Sequence, residues 1–354
     1  MPIRFRIANM NRLPTTVLTL LTVATTTFAT PDPICSGLCT GTIRDPAVLR
    51  RDDGTWLRFT TEGNLRIATA PSISGPWTSK EGEAGAMLPG GSIIDLDPDQ
   101  RLWAPNVFFS DGRFYCHYSV STIGSQNSAI GVATSVTGES GNWTDHGSVD
   151  LPADDRYNRI DANFFRECDT CTPYLNFGSS WEHLFQTTLT SDLLKWKGEA
   201  PIHIARNTSY PAVPQTYPSI MEGAFMWWLP NVNGHKYFYL FFSSGACCNT
   251  PKSEEGLEAP GDEYKVMVCR GESVTGPFTD KDGRNCLTEN GGSLVLGSHG
   301  DVYAPGGQGL AHDPDVDRVA LYYMYINKAD GTYKDFRFGF NWLDFSSGWP
   351  EVVE

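Results

Sequence analysis

The sequence predicts an all-β fold, a five-bladed β-propeller forming a single domain over residues 30–354. Three observations carry that prediction. A turn phrase (a small residue, glycine, proline or a similar residue, then an aromatic) occurs in five strict or looser copies, each closing a unit of three or four strand-like runs. Glycine and proline supply 58 of 354 residues, about 16%, where ordinary usage is about 12%. No apolar pattern of helical period persists for twelve residues, so helices should be few. A β-sandwich would share the strands but has no reason to repeat one phrase five times. Hydrophobic residues at 40% and aromatics at 12% supply a core and exclude disorder.

In chain order, the first element is a processing segment, residues 1–29. Arg4, Arg6 and Arg12 precede the apolar run VLTLLTVA at 17–24, and Thr27-Phe28-Ala29 offers a small-residue cleavage site. The run is far short of the ~20 residues that span a bilayer, so it reads as a secretory signal, and the mature protein is expected to be extracellular. Removing the three arginines takes the net charge from −14 to −17. That sign excludes nucleic acid and anionic membrane as partners. The protein is expected to act as a monomer.

Nine cysteines fit an oxidising compartment. Cys269 and Cys286 bracket a Gly/Asp-rich loop and are the favoured pair; Cys35/Cys39 and Cys168/Cys171 can each close a small loop, other connectivities remaining open. Cys168-Asp-Thr-Cys171 would be half of a zinc site, but no second half follows. The odd thiol is expected to be Cys116, inside the strand-like RFYCHYSV. Asn142-Trp-Thr and Asn207-Thr-Ser are acceptor sequences for N-glycosylation.

Each blade then reads as a four-part sentence. The first part is a short segment: RDPAVLR, WAPNVFF, IDANFFR, SIMEGAFMWW and VYAPGGQGL. The second is an aromatic, alternating strand: WLRFTTEG, RFYCHYSVS, PYLNFGSS, KYFYLFFSSG and VALYYMYIN. A third strand follows (NLRIATA, AIGVATS, HLFQTTL, YKVMVCR, FRFGFNW), and the turn phrase closes the unit with its aromatic at 77, 143, 196, 278 and 349. The gaps of 66, 53, 82 and 71 suit blades with variable loops.

First strands line a propeller's axis, so acids in the short segments converge there. Asp45, Asp161 and Glu222 come from blades one, three and four. Asp52, Asp53, Asp111, Asp282 and Asp330 instead sit in turn sequences, where solvated turn roles suffice. Converging carboxylates suit glycosidic bond hydrolysis, in which one protonated acid assists the leaving oxygen and one carboxylate activates water or attacks carbon. A third raises the acid's pKa by like charge. Trp103, Trp181, Trp227 and Trp228 offer flat faces for sugar rings, Trp103 being favoured because it opens an inner segment.

The segments IRDPAVLRRDDGTW, LWAPNVFFSDGRFY, YSVSTIGSQNSAIGVATS, NRIDANFF, IMEGAF, FFSSGACC, SHGDVYAPGGQG and FSSGWP, in that order from about residue 40 to 352, resemble glycoside hydrolase family 43, in particular its fungal arabinan endo-1,5-α-L-arabinosidases. The resemblance implies a five-bladed propeller that hydrolyses with inversion. It implies Asp45 as general base, Asp161 as the residue that orients the acid and tunes its pKa, and Glu222 as general acid. Trp103, Asn106, Ser179 and Trp181 are the expected substrate-binding residues, and the expected partner is arabinan or its oligosaccharides.

Three departures from the family pattern stand out. Arg44 precedes Asp45 where the family usually has histidine, and Asn106 stands where many members carry aspartate. Ala304-Pro305-Gly306-Gly307 replaces a Gly-Pro-Gly-His whose histidine belongs to a central ion site in bacterial members; His299 is a remote stand-in. No metal ligand is therefore assigned, no cofactor is required, and a central calcium or other cation is left open. Rival readings are another family 43 specificity, such as β-xylosidase or α-L-arabinofuranosidase, and a sugar-binding propeller without catalysis.

Overall fold

The structure is a computed structural model and describes residues 29–208, 220–246, 256–331 and 335–354. The expected leader, apart from Ala29, lies outside the described residues, as do Cys247 and Cys248.

After β1 (Thr40–Gly41), blade one is β2 (Ala47–Arg50), β3 (Trp56–Thr60), β4 (Arg66–Ala70) and β5 (Thr78–Ser79). Blade two is β6 (Arg101–Ser110), β7 (Arg113–Ser121), β8 (Ala129–Ser135) and β9 (Thr144–Ser148). Blade three is β10 (Asn163–Phe165), β11 (Tyr174–Phe177), β12 (Leu184–Thr188) and β13 (Ile202–Ala205). Blade four is β14 (Met221–Val232), β15 (His235–Ser244), β16 (Lys265–Gly271) and β17 (Ser293–Leu296). Blade five is β18 (Val302–Asp313), β19 (Arg318–Asn327), β20 (Phe336–Asp344) and β21 (Glu351–Val353), with β1 added to β20. Every pairing within a blade is antiparallel. Among the described residues helix is confined to short turns such as Glu62–Leu65. The all-β, five-bladed expectation is borne out.

The tight turns follow from their sequences. Asp111-Gly112 and Asn233-Gly234 each form a two-residue hairpin loop with both residues at positive φ (50° and 78°; 54° and 88°), the geometry that matches strand twist and that Asp-Gly and Asn-Gly adopt at least cost.

The aromatic second strands are explained by their period of two. Along β15, Phe238, Leu240 and Phe242 face a core shared with blade three, while Tyr239 and Phe241 face a core shared with blade five. The same alternation splits Leu57 and Phe59 from Trp56, and Leu321 and Tyr323 from Tyr322. Among the described residues every pair of neighbouring blades shares an apolar cluster, and blades four and five share two. A blade strand must therefore be apolar on both faces, which is why these segments read as continuous aromatic runs.

The ring is sutured by its N-terminal segment. Thr40 and Gly41 pair with Arg337 and Phe336 of β20, and Asn341 Nδ2 donates to the carbonyls of Pro31 (3.2 Å) and Asp32 (3.1 Å). Leu38 N–H donates to the Trp77 carbonyl at 2.8 Å, tying the same segment to blade one. Disulfides join Cys35–Cys39, Cys168–Cys171 and Cys269–Cys286, and Cys116 is a buried free thiol, as expected. Among the described residues no helix is long and apolar enough to cross a membrane.

Candidate active site

All five inner segments approach the axis through one backbone device. Asp45, Ala104, Asp161, Gly223 and Ala304 hold φ of 46°, 41°, 57°, 64° and 52°, and each is followed by proline or alanine. Non-glycine residues enter this left-handed region at a cost of about 1–2 kcal/mol. In blades two, four and five the residue sits in a break of strand register, between Trp103 and Asn106, Glu222 and Phe225, and Tyr303 and Gly306. Such bulges re-aim side chains. Asp45 and Asp161 thus occupy equivalent positions, and Glu222 stands one residue ahead of its blade's counterpart, Gly223.

The five inner strands enclose a central cavity whose lining includes Asp45, Asp161, Asn106, Tyr264, Gly307 and Gln308. A residue in or just past the second strand of each blade bridges to the next blade. The Thr61 hydroxyl accepts the Ala104 N–H at 2.9 Å, Ser119 that of Asp161 at 3.0 Å, and Ser243 that of Gly307 at 2.9 Å. Met324 sulfur accepts the Asp45 N–H at 3.4 Å, and the Ser179 hydroxyl donates to Glu222 Oε2. This bridging ring fixes the spacing of carboxylates that come from blades far apart in sequence.

Asp45 Oδ2 accepts the Thr61 hydroxyl at 2.6 Å, and Glu222 Oε1 accepts the Tyr264 hydroxyl at 2.8 Å. All three residues are half-buried, with their carboxyl groups packed among protein atoms. Burial raises all three pKa values. For Asp45 the Thr61 hydrogen bond and the Arg44 charge pull back towards the ionised form; the Arg44 guanidinium is held 4.2 Å above the Phe336 ring. For Asp161 the charges of Glu222 and Asp45 add to burial and push it well above the ordinary carboxylate range. For Glu222 the Ser179 and Tyr264 hydroxyls oppose burial. Sequence reasoning placed the raised pKa on Glu222; the structure spreads it over all three, with Asp161 facing both neighbours. Such a cluster can hold one carboxyl protonated beside one ionised, the pairing that acid–base hydrolysis needs.

Asn106 lines the cavity and its Oδ1 accepts the Phe164 N–H at 2.8 Å. Ser179 is the Glu222 partner described above. Trp103 and Trp181 are half-buried and lie outside the lining of the central cavity. Trp181 sits in a turn where Ser180, Trp181 and His183 all have positive φ (52°, 47°, 72°), strain of the kind that gathers at functional sites. Thr61 and Tyr264 were missed by sequence reasoning. The doubled Gly306-Gly307 was a readable signal, because a Cβ at Gly307 would meet Asp45 Oδ1 at 3.1 Å.

The amide side chains that line the axis are engaged within the protein. Asn163 Oδ1 accepts from Asn176 and Met226, Asn106 Oδ1 is used by Phe164, and Gln308 joins Ser243 to the Gly223 carbonyl. Among the described residues no group of three or more His, Cys, Asp or Glu is arranged to hold a metal.

Comparison with known proteins places this geometry. The pattern described as glycosyl hydrolases family 43 matches residues 38–350. Arabinan endo-1,5-alpha-L-arabinosidase A of Aspergillus aculeatus is 46% identical over 322 residues, 90% of this chain and 92% of that protein. An exo-1,5-alpha-L-arabinanase from a bovine ruminal metagenomic library superposes with a TM-score of 0.73 at 25% identity, covering 90% of this chain and 99% of that one. The Cellvibrio cellulosa alpha-L-arabinanase complexed with arabinohexaose gives 0.69 at 26%, covering 88% and 95%.

Proposed function

Since the chain belongs to glycosyl hydrolases family 43 and is a glycosidase, we propose that it is a secreted enzyme that cleaves α-1,5-linked L-arabinofuranosyl bonds within arabinan, the side chain of plant pectin, with inversion. The observation that carries this reading is the convergence of three carboxyls from three blades: Asp45 and Asp161 line one axial cavity, and Glu222, held by the lining residue Tyr264, lies close enough to exchange charge effects with them. The 46% identity to the Aspergillus aculeatus enzyme supports the linkage, and three disulfides support export.

In this reading Asp45, kept towards its anionic form by Thr61 and Arg44, takes a proton from a water. The oxygen of that water bonds to the anomeric carbon as the glycosidic bond breaks. Glu222 gives its proton to the departing sugar oxygen, and the two carboxyls exchange protons with solvent before the next turnover. Asp161 makes and breaks no bond to the sugar; close enough to Glu222 and Asp45 to feel the charges of both, it orients the acid. Asn106 and Ser179 border the reacting centre, and Trp103 and Trp181 supply outer stacking faces for further sugar units. The net charge of −17 left after removal of Arg4, Arg6 and Arg12 is compatible with a neutral polymer. No step requires a cofactor.

The test is hydrolysis of debranched arabinan. Reducing ends should appear with internal cleavage products, and proton NMR of the first product should show inverted anomeric configuration. No release from arabinan, or retention, would overturn the reading.

A further inference from the structure

We propose that Tyr264 is a positioning residue for the general acid: its hydroxyl clamps the Glu222 carboxyl, and the absence of a side chain at Gly306 is what seats its ring. The inference rests on the proposed role of Glu222.

Tyr264 immediately precedes β16 and is 3% exposed. Its hydroxyl donates to Glu222 Oε1 at 2.8 Å while the Ser179 hydroxyl donates to Oε2, so both carboxyl oxygens are held from opposite sides by different blades. The ring fills the space over the blade-five inner strand. A Cβ at Gly306 would lie 2.0 Å from Tyr264 Cε1 and 2.1 Å from Cδ1, closer than any side chain can stand. Behind the ring, the Ser243 hydroxyl accepts the Gly307 N–H at 2.9 Å and donates to Gln308 Oε1 at 2.5 Å, and Gln308 Nε2 donates to the Gly223 carbonyl at 2.8 Å. The residue after the acid is thus tied to the same glycine pair that admits the tyrosine.

The charged groups that face Glu222 are Asp161 on the neighbouring inner segment of blade three and Asp45 across the axis on that of blade one. Lys265, beside Tyr264, turns away to the carbonyls of Gly261 at 2.7 Å and Glu263 at 3.3 Å. Burial and the Glu222 charge keep the Tyr264 phenol protonated, so it is a permanent donor. A permanent donor favours the carboxylate over the acid. The clamp therefore fixes the rotamer from which the proton is delivered, and it offsets the burial that would otherwise make Glu222 too weak an acid.

Tyr264→Phe keeps the ring and removes only the donor. It should lower kcat on arabinan by about 10- to 100-fold with KM within about twofold, and move the alkaline limb of the kcat/KM profile upward. An aryl arabinoside with a good leaving group should lose less than about threefold, because its departure needs little proton donation. Gly306→Ala, which displaces the ring, should reproduce the limb shift. An unmoved limb, or equal losses on both substrates, would overturn the clamp. If the wild-type enzyme leaves arabinan intact, the functional reading fails by itself. The clamp is then read by carbon-13 NMR titration of Glu222, whose midpoint must rise in Tyr264→Phe; an unchanged midpoint overturns it.

Discussion

The Thr61 hydroxyl donates to Asp45 Oδ2 at 2.6 Å and accepts the Ala104 N–H at 2.9 Å, so the carboxylate of blade one is tied through one oxygen to the backbone of blade two. A charge-assisted hydrogen bond of this kind is worth about 1.5–3 kcal/mol. Thr61→Val keeps the shape and removes the donor. Asp45, already raised by burial, should rise further, and the acidic limb of the pH–rate profile should move up. Steady-state kinetics between pH 3 and 8 would check it; an unmoved limb would mean Asp45 is not the base.

The two catalytic roles separate by leaving group. Glu222→Gln should lose about 10³-fold on arabinan yet stay within about tenfold on an aryl arabinoside with a good leaving group. Asp45→Asn should lose activity on both, since water must be activated whatever departs. Rescue of Asp45→Asn but not of Glu222→Gln on the activated substrate would reverse the assignment.

The carboxylate cluster should weaken the fold above acidic pH. Asp161 has a native pKa raised by burial and by two facing charges, so the folded chain binds a proton that the unfolded chain releases near pH 4. Stability then falls as pH rises through that window towards the native pKa. Asp161→Asn removes the penalty at nearly constant shape. Calorimetry should find it more stable than wild type at pH 7, by about 1 kcal/mol or roughly 2 °C. The advantage should vanish near pH 3. A loss of stability at pH 7 would contradict the buried-charge account.

One of the two acceptor asparagines can carry a glycan in the folded enzyme. Asn142 is exposed in the turn between β8 and β9, its N–H donating to the Glu139 carbonyl at 3.2 Å. Asn207 is 8% exposed, with its N–H directed to His183 Nδ1 at 3.4 Å. Protein secreted from a eukaryotic host should lose one glycan mass on Asn142→Gln and none on Asn207→Gln. Occupancy of Asn207 in active enzyme would overturn this.

Much of the fold was legible because blade strands are written in local chemistry. Aromatic runs such as KYFYLFFSS mark strands buried on both faces, and Asp111-Gly112 and Asn233-Gly234 mark the turns. Asp45 and Asp161 were findable because each opens an inner segment. Thr61 and Tyr264 were not, since a lone threonine or tyrosine gains meaning only from the neighbouring blade it touches. The shared left-handed residue was hidden for a related reason: alanine at 104 and 304 carries no local preference for that conformation, which the surrounding strands impose. The suture at 31–42 is held largely by backbone hydrogen bonds, which leave no side-chain signature.

That suture imposes an order on biosynthesis. Residues 31–42 leave the ribosome long before their partner β20, which begins at Phe336. At about 5–20 residues per second, roughly 15–60 s separate the two. Through that interval the early segment waits without its strand partner, and when β20 emerges it offers an open edge of the kind that recruits stray strands. Blades one to four can assemble as an arc while the chain is still growing, but the circle shuts only when β20 meets residues 31–42. A nascent chain stalled short of Phe336 would therefore be a horseshoe with two unsatisfied ends, and such stalled chains are where misassembly between copies should begin.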